Sequence, residues 1–289
     1  MPKFAYFIMV HHKPAQFEWL MRAIDDPNDL FLIHVDLKSR LGLKPERRGV
    51  MREVRRIIAG KPNVRLLRSR FTNWGGWSLS RILLDAMNEA LDADAGWSHF
   101  VNLSGQCYPL KPLADLKREI VAAGDVAHVE MRPLAGLPAD DWHLRWHRMI
   151  ETPLRAFILP GRKAPPRDFS LAHKGSQWVI LPRAFCEWAR AAPETQRIAA
   201  YLKSLLLSDE LILQALVENG PYRSRVADHY GRAIVWPGPR TFGEEDLPLL
   251  RASPAWFARK FDVARDARVL LALARTNGFT PGPLPGRPA

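Results

Sequence analysis

Only two of the 289 residues are cysteine, Cys107 and Cys186, too few for a disulfide framework. Both lie among apolar residues and lack the paired spacing of a zinc site, so they read as small buried hydrophobes. No run of about 18 apolar residues occurs, and residues 1–10 are too few to cross a bilayer. No charged-then-apolar leader opens the chain. These absences predict a cytoplasmic chain with neither signal peptide nor transmembrane helix. Internal repeats, a long basic tail, zinc-finger spacing and aromatic RNA-binding motifs are also missing, which argues against nucleic acid as a partner. Acids are in short supply: 30 Asp and Glu against 42 Lys and Arg give a formal charge of +12. That balance suits a phosphate-bearing substrate, or peripheral contact with an anionic membrane.

What is present is an ordinary globular composition, 47% apolar and 25% charged, with an unusual ten tryptophans. Indole faces fill cores and also stack on sugars and bases. Apolar runs at Phe4–Val10, Leu30–Val35, 64–67, 100–103 and 126–130 predict strands. Helical patterns at 15–24, Val50–Ile58, 79–91 and Leu113–Ala122 fall between them. Strand and helix in alternation predict an α/β fold, a mostly parallel Rossmann-like sheet flanked by helices. Residues 132–167, rich in Pro, Arg and Trp, read as a long functional loop with one or two short helices. A strand at 177–181 and helices at 183–190, 211–217, 247–250 and 263–275 follow, with a short strand at 233–236. No linker divides the chain. One domain is expected over 1–277, a nucleotide-binding half to about residue 130 and an acceptor and catalytic half beyond it. Residues 278–289 form a Pro/Gly-rich tail expected to be flexible.

In parallel sheets ligands bind beyond the carboxyl ends of the strands, which places His11-His12, Asp36, Ser104-Gly105 and Glu130 in view. Adjacent histidines at a strand end should point to opposite faces and make poor joint metal ligands. Asp36 ends an apolar strand, but Lys38 occupies the place where a second acid would complete a metal-holding pair. Any diphosphate bound there must be neutralised by side chains. Asp92-Ala93-Asp94 has the letters of such a pair at the end of an amphipathic helix, where solvated surface acids are expected. Ser208-Asp209-Glu210 lies at a helix start, with Ser208 suited to cap it. Acids there serve the helix dipole, and one held rigidly can also act as a general base. Arg259-Lys260 lies between aromatics, either as solvated cations or as a diphosphate clamp. Trp236 to Arg240 forms an aromatic and basic turn, and Asn73-Trp74-Gly75-Gly76-Trp77-Ser78 a glycine turn flanked by indoles.

Seven segments carry a resemblance to a known family. They are Val10-His11-His12-Lys13, Ile33-His34-Val35-Asp36, Trp74-Gly75-Gly76-Trp77-Ser78, Asn102-Leu103-Ser104-Gly105 with Tyr108-Pro109-Leu110, Gly175-Ser176-Gln177-Trp178, Asp209-Glu210-Leu211, and Trp256 to Phe261. In this order and spacing the chain resembles the core-2/I-branching β-1,6-N-acetylglucosaminyltransferases and their relatives, the peptide O-xylosyltransferases. The resemblance implies a GT-A-like, inverting glycosyltransferase that needs no metal or other cofactor. It implies a UDP-sugar donor carrying N-acetylglucosamine or xylose, and a carbohydrate, glycoconjugate or protein acceptor. Carried over by position, Glu210 is the base, and Val10, Asp36, Trp74, Arg240 and Lys260 meet the nucleotide-sugar. Trp236, Glu130, Arg145 and Arg148 fall toward the acceptor. The Golgi relatives have a membrane anchor and several disulfides; this chain looks like a stripped-down intracellular version. The competing readings of the residues are a carbohydrate-binding module, a basic nucleic-acid-binding protein and a glycoside hydrolase, which ordinarily needs two opposed carboxylates.

Overall fold

A computed structural model describes residues 1–153, 155–236 and 238–284. The chain forms two compact units. Unit one comprises residues 1–69, 103–124 and 231–289, and unit two comprises 70–102 and 125–230. The chain passes from unit one into unit two and back twice.

Unit one is organised by two fully buried strands, Phe4–Val10 and Leu30–Val35. Continuous apolar runs form strands covered on both faces, as parallel sheets require. The two pair in parallel from Ala5 opposite Leu30 to Val10 opposite Val35. The shorter Val64–Leu66 extends the parallel set. On the other side the backbone N–H of Gly105 donates to the Met9 carbonyl (2.9 Å), so residues 103–105 run out beside the end of the first strand. A smaller sheet joins Arg232–Ile234, Phe257–Arg259 and Tyr108–Pro109. A second core forms around Trp19, with Tyr108, Phe242, Phe261, Leu270 and Leu273. Trp19 also donates to the Pro283 carbonyl at 3.0 Å and Phe279 is buried, so residues 278–284 of the expected flexible tail are seated on the domain. Residues 285–289 lie outside the described residues.

Unit two is built on the helix Trp77–Ala93 and the helices Arg183–Ala191, Pro193–Leu202 and Ile212–Glu218. Ile180–Pro182 pairs antiparallel with residues 99–101 of the strand His99–Ser104. Three expectations need correction here. Residues 126–130 do not make a strand. Ala127 bridges to Val226 and His128 to Ile180, so their backbone groups are divided between two partners and no ladder continues. The loop expected at 132–167 holds one 3₁₀ turn, Trp142–Arg145, and an antiparallel hairpin, His147–Glu151 with Ala156–Arg162. Ser208 is not the cap of a helix at Glu210. Its hydroxyl meets Ser80 at 3.3 Å, and Ser208–Glu210 is itself a 3₁₀ turn preceding the helix Ile212–Glu218. Both cysteines are buried, and among the described residues no helix is long and apolar enough to cross a membrane.

Candidate active site

In unit two the functional candidate is a carboxylate held by a chain of polar groups. Glu210 ends the 3₁₀ turn, with its side chain 32% exposed. The turn is fixed from outside: the Gly175 N–H donates to the Glu210 carbonyl at 2.9 Å. Gly175 itself threads between Glu130 and Gln214, and a Cβ there would lie 1.9 Å from the Glu130 carbonyl oxygen. Only glycine passes. The buried Gln214 amide closes this corner by donating to the carbonyls of Glu130 (3.1 Å) and Ser176 (3.2 Å).

The Glu210 carboxylate reaches the buried His143, Oε2 to Nε2 at 2.9 Å. His143 Nδ1 lies 2.8 Å from Asp141 Oδ1, whose other oxygen takes a bond from Lys174 Nζ at 3.1 Å. Lys174 Nζ is also 3.0 Å from His143 Nδ1. A doubly protonated ring donates to both carboxylates. A ring protonated at Nε2 alone donates to Glu210 and accepts from Lys174. In both of these states Nε2–H holds Oε2; Oε1 makes no hydrogen bond among the described residues and is the oxygen open to a proton. Burial works to raise the Asp141 carboxyl. The His143 N–H, its ring and Lys174 overcome this and bring it down to about 2, so Asp141 stays an anion that orients the ring.

The neighbouring Asp209 behaves in the opposite way. It is buried, its Oδ2 meets Gln177 at 3.2 Å, and its Oδ1 has no partner among the described residues. Burial, then the charge of Glu210, push it from 3.8 to about 8. Because the folded state binds this proton more tightly than the unfolded chain, the stabilisation is complete below about 3.8 and is lost as pH rises through about 8. The melting temperature should therefore fall between about pH 4 and 8, and Asp209→Asn should flatten that fall in a calorimetric pH series. Parallel curves for the two chains would remove the assignment.

The other expected unit-two residues are distributed differently. Trp74 is 77% exposed on a turn whose Gly75 has φ +68°. Glu151 clasps that turn, accepting from the Ser78 N–H (2.9 Å), the Ser78 hydroxyl and the Asn73 amide (3.3 Å). A Cβ at Gly76 would meet Glu151 Oε1 at 2.2 Å. Glu130 is engaged by the Ser176 N–H (2.9 Å) and Arg132 (3.1 Å). The Arg145 guanidinium lies 5.1 Å from the Trp142 ring, and Arg148 is exposed on the hairpin.

Unit one gathers cations at the carboxyl edge of its parallel strands. The Val10 carbonyl accepts the Asp36 N–H at 3.0 Å, so His11 and Asp36 leave the sheet side by side. Asp36 is inside: its Oδ1 takes the Lys38 N–H (2.7 Å) and Arg47 (3.2 Å). The Lys260 segment is tied to the same edge. Phe261 exchanges bonds with Gln106 (2.9 and 3.2 Å), Val263 N–H donates to Gln16 (2.9 Å), and Lys13 pairs with Asp262. His11 is lowered to about 3 by burial, then by the positive charges of His12, Arg47, Arg259 and Lys260. Lys260 is lowered by burial, Arg259 and Lys13, and makes no ion pair with a carboxylate among the described residues. Contrary to the expected divergence, the His11 and His12 rings stack at 4.0 Å. Arg240, expected as Lys260's companion, is forked onto Asp246. Trp236 is exposed.

Unit one thus has a sheet edge crowded with cations, and unit two a carboxylate in contact with a buried histidine. The chain belongs to the Core-2/I-Branching enzyme family, whose sequence profile matches residues 4–250. It is 27% identical over 220 residues to a β-1,3-galactosyl-O-glycosyl-glycoprotein β-1,6-N-acetylglucosaminyltransferase 3 of Bos taurus, covering 75% of this chain and 47% of that protein. The Homo sapiens protein of the same name is 25% identical over 209 residues, covering 71% and 45%. The chain thus spans about half the length of these relatives. Among solved structures, apo mouse xyloside xylosyltransferase 1 is similar with a TM-score of 0.39 and 11% identity, covering 88% of this chain and 97% of that one.

Proposed function

We propose that the chain is an inverting, metal-independent glycosyltransferase of GT-A type, moving N-acetylglucosamine or xylose from a UDP-sugar to an acceptor hydroxyl with Glu210 as general base. The observation that carries this reading is the Glu210 carboxylate, with one oxygen held by His143 and the other open. As the acceptor oxygen bonds to the anomeric carbon, its proton passes to Oε1 of Glu210. The bond from that carbon to the diphosphate breaks, and its electrons leave with UDP. A single displacement inverts the configuration. Lys260 supplies fixed positive charge for the leaving diphosphate, while Val10, Asp36 and Trp74 contribute to the nucleotide site. Metal independence rests on Lys38 in the place of a second acid and on Asp36 being engaged by Arg47. The acceptor is a carbohydrate, glycoconjugate or protein hydroxyl.

The test is a screen of UDP-sugars with the full chain, following UDP release and the anomeric configuration of the product by NMR. One donor should stand out, its product inverted, and turnover should survive EDTA. Loss on chelation with rescue by Mn²⁺ would overturn the metal-free part. Absence of UDP binding in thermal-shift measurements would overturn the whole, and steep salt-dependent RNA or DNA binding would then favour a nucleic-acid partner. Lys260→Ala should weaken UDP binding about tenfold or more, as expected for a lost bond to a charged group. The loss should shrink at high salt in titration calorimetry, because screening weakens what is removed.

A further inference from the structure

Between Arg145 and Arg167 the chain carries six cations, Arg145, Arg148, Arg155, Arg162, Lys163 and Arg167, and a single acid, Glu151. Glu151 is turned inward onto Ser78 and Asn73, so its charge is spent within unit two. The hairpin packs on unit two through Met149 and Ala156, against Leu206 and Leu207. Its other side is uncovered. Ile150 stands opposite Phe157 in the register, 52% and 42% exposed. The Arg155 guanidinium lies 4.9 Å from the Phe157 ring, with Arg148 and Arg162 exposed on the same hairpin.

An exposed apolar pair on a hairpin that also exposes three arginines has few suitable partners. A second copy docked through the same face would bring Arg148, Arg155 and Arg162 against the same three cations. Nucleic acid would use the charges and leave Ile150 and Phe157 in water. An anionic bilayer takes both: apolar side chains enter the boundary between headgroups and acyl chains, and guanidinium groups meet lipid phosphates. We propose that the hairpin formed by His147–Glu151 and Ala156–Arg162 docks the chain on anionic lipid bilayers. The proposal stands apart from the sugar-transfer reading.

The test is co-sedimentation of the full chain with sucrose-loaded vesicles of phosphatidylcholine alone or with about one-third phosphatidylglycerol, at about 0.1 M salt. Capture is expected on the anionic vesicles only, declining as salt rises. Arg148→Ala with Arg155→Ala and Arg162→Ala should weaken it about a hundredfold, at about fivefold per arginine. Ile150→Ser with Phe157→Ser should weaken it about tenfold while leaving the charge unchanged. Because these side chains are exposed, both variants should melt like the parent. Equal capture on neutral vesicles, or capture of both variants as strong as the parent's, would overturn the proposal. So would a lipid-free dimer, seen by sedimentation velocity, that Ile150→Ser with Phe157→Ser abolishes, since the patch would then belong to a second copy.

Discussion

Glu210→Gln should bind UDP like the parent chain and lose sugar transfer by about a hundredfold or more, the usual worth of a positioned general base. The amide keeps the shape of the carboxylate and can still accept from His143 Nε2, so the 3₁₀ turn and the Gly175 bond to the Glu210 carbonyl should persist. What it cannot do is take up the acceptor's proton. The clean readout is kcat with donor KM measured alongside. His143→Ala is the informative companion, because it leaves the base in place and removes what aims it. Its kcat should fall by less than that of Glu210→Gln, with donor KM little changed, as expected when orientation rather than chemistry is lost. Near-normal turnover in Glu210→Gln would end the assignment, whatever the His143 variant did.

Lys117→Met should cost unit one about 3–5 kcal/mol of stability, the usual penalty for stripping the partner from buried charges. Lys117 is fully buried and bridges Asp26 at 2.7 Å and Asp29 at 2.6 Å. Asp29 also accepts the Phe4 N–H at 2.8 Å, so the cluster ties the first strand to the helix Leu113–Ala122. Burial wins at Asp29 and raises it from 3.8 to about 6, whereas at Asp26 burial is overcome by Lys117 and Asn28 and the carboxyl stays below its ordinary value. For Asp29 the sign is that of a raised acid: its stabilisation is full below 3.8 and is lost as pH passes about 6. Without Lys117 both carboxylates face an apolar interior, so the variant should be less destabilised at pH 5 than at pH 7. Urea unfolding at the two pH values measures this. A loss below about 1 kcal/mol, the scale of an exposed pair, would contradict the buried-cluster account.

The strands Phe4–Val10 and Leu30–Val35 were legible because a strand covered on both faces is apolar throughout. The hairpin was not, because Ile150 and Phe157 are exposed rather than buried and Pro160-Gly161 lies within its second strand, giving the pattern of a loop. Residues 126–130 misled for the converse reason: an apolar run signals burial, and burial here comes without a continuous ladder. Glu210 could be picked out by position and resemblance. Its support could not, since His143 lies 67 residues away in sequence and Lys174 meets His143 across 31. The only local trace was Asp141-x-His143, too common a spacing to mean anything alone. Nor could sequence order reveal that Arg240 is forked onto Asp246.

The interleaving of the two units has a consequence for the order in which the chain is made. Trp19 leaves the ribosome early, yet its neighbours Phe242, Phe261, Leu270 and Leu273 emerge more than two hundred residues later. At about 5–20 residues per second, the indole waits on the order of ten seconds or more for its core. During that interval unit two, complete by residue 230, has all its segments in hand and can fold first. Unit one thus starts before unit two and closes after it, and a nascent chain stalled before Phe242 would expose Trp19 to chaperones.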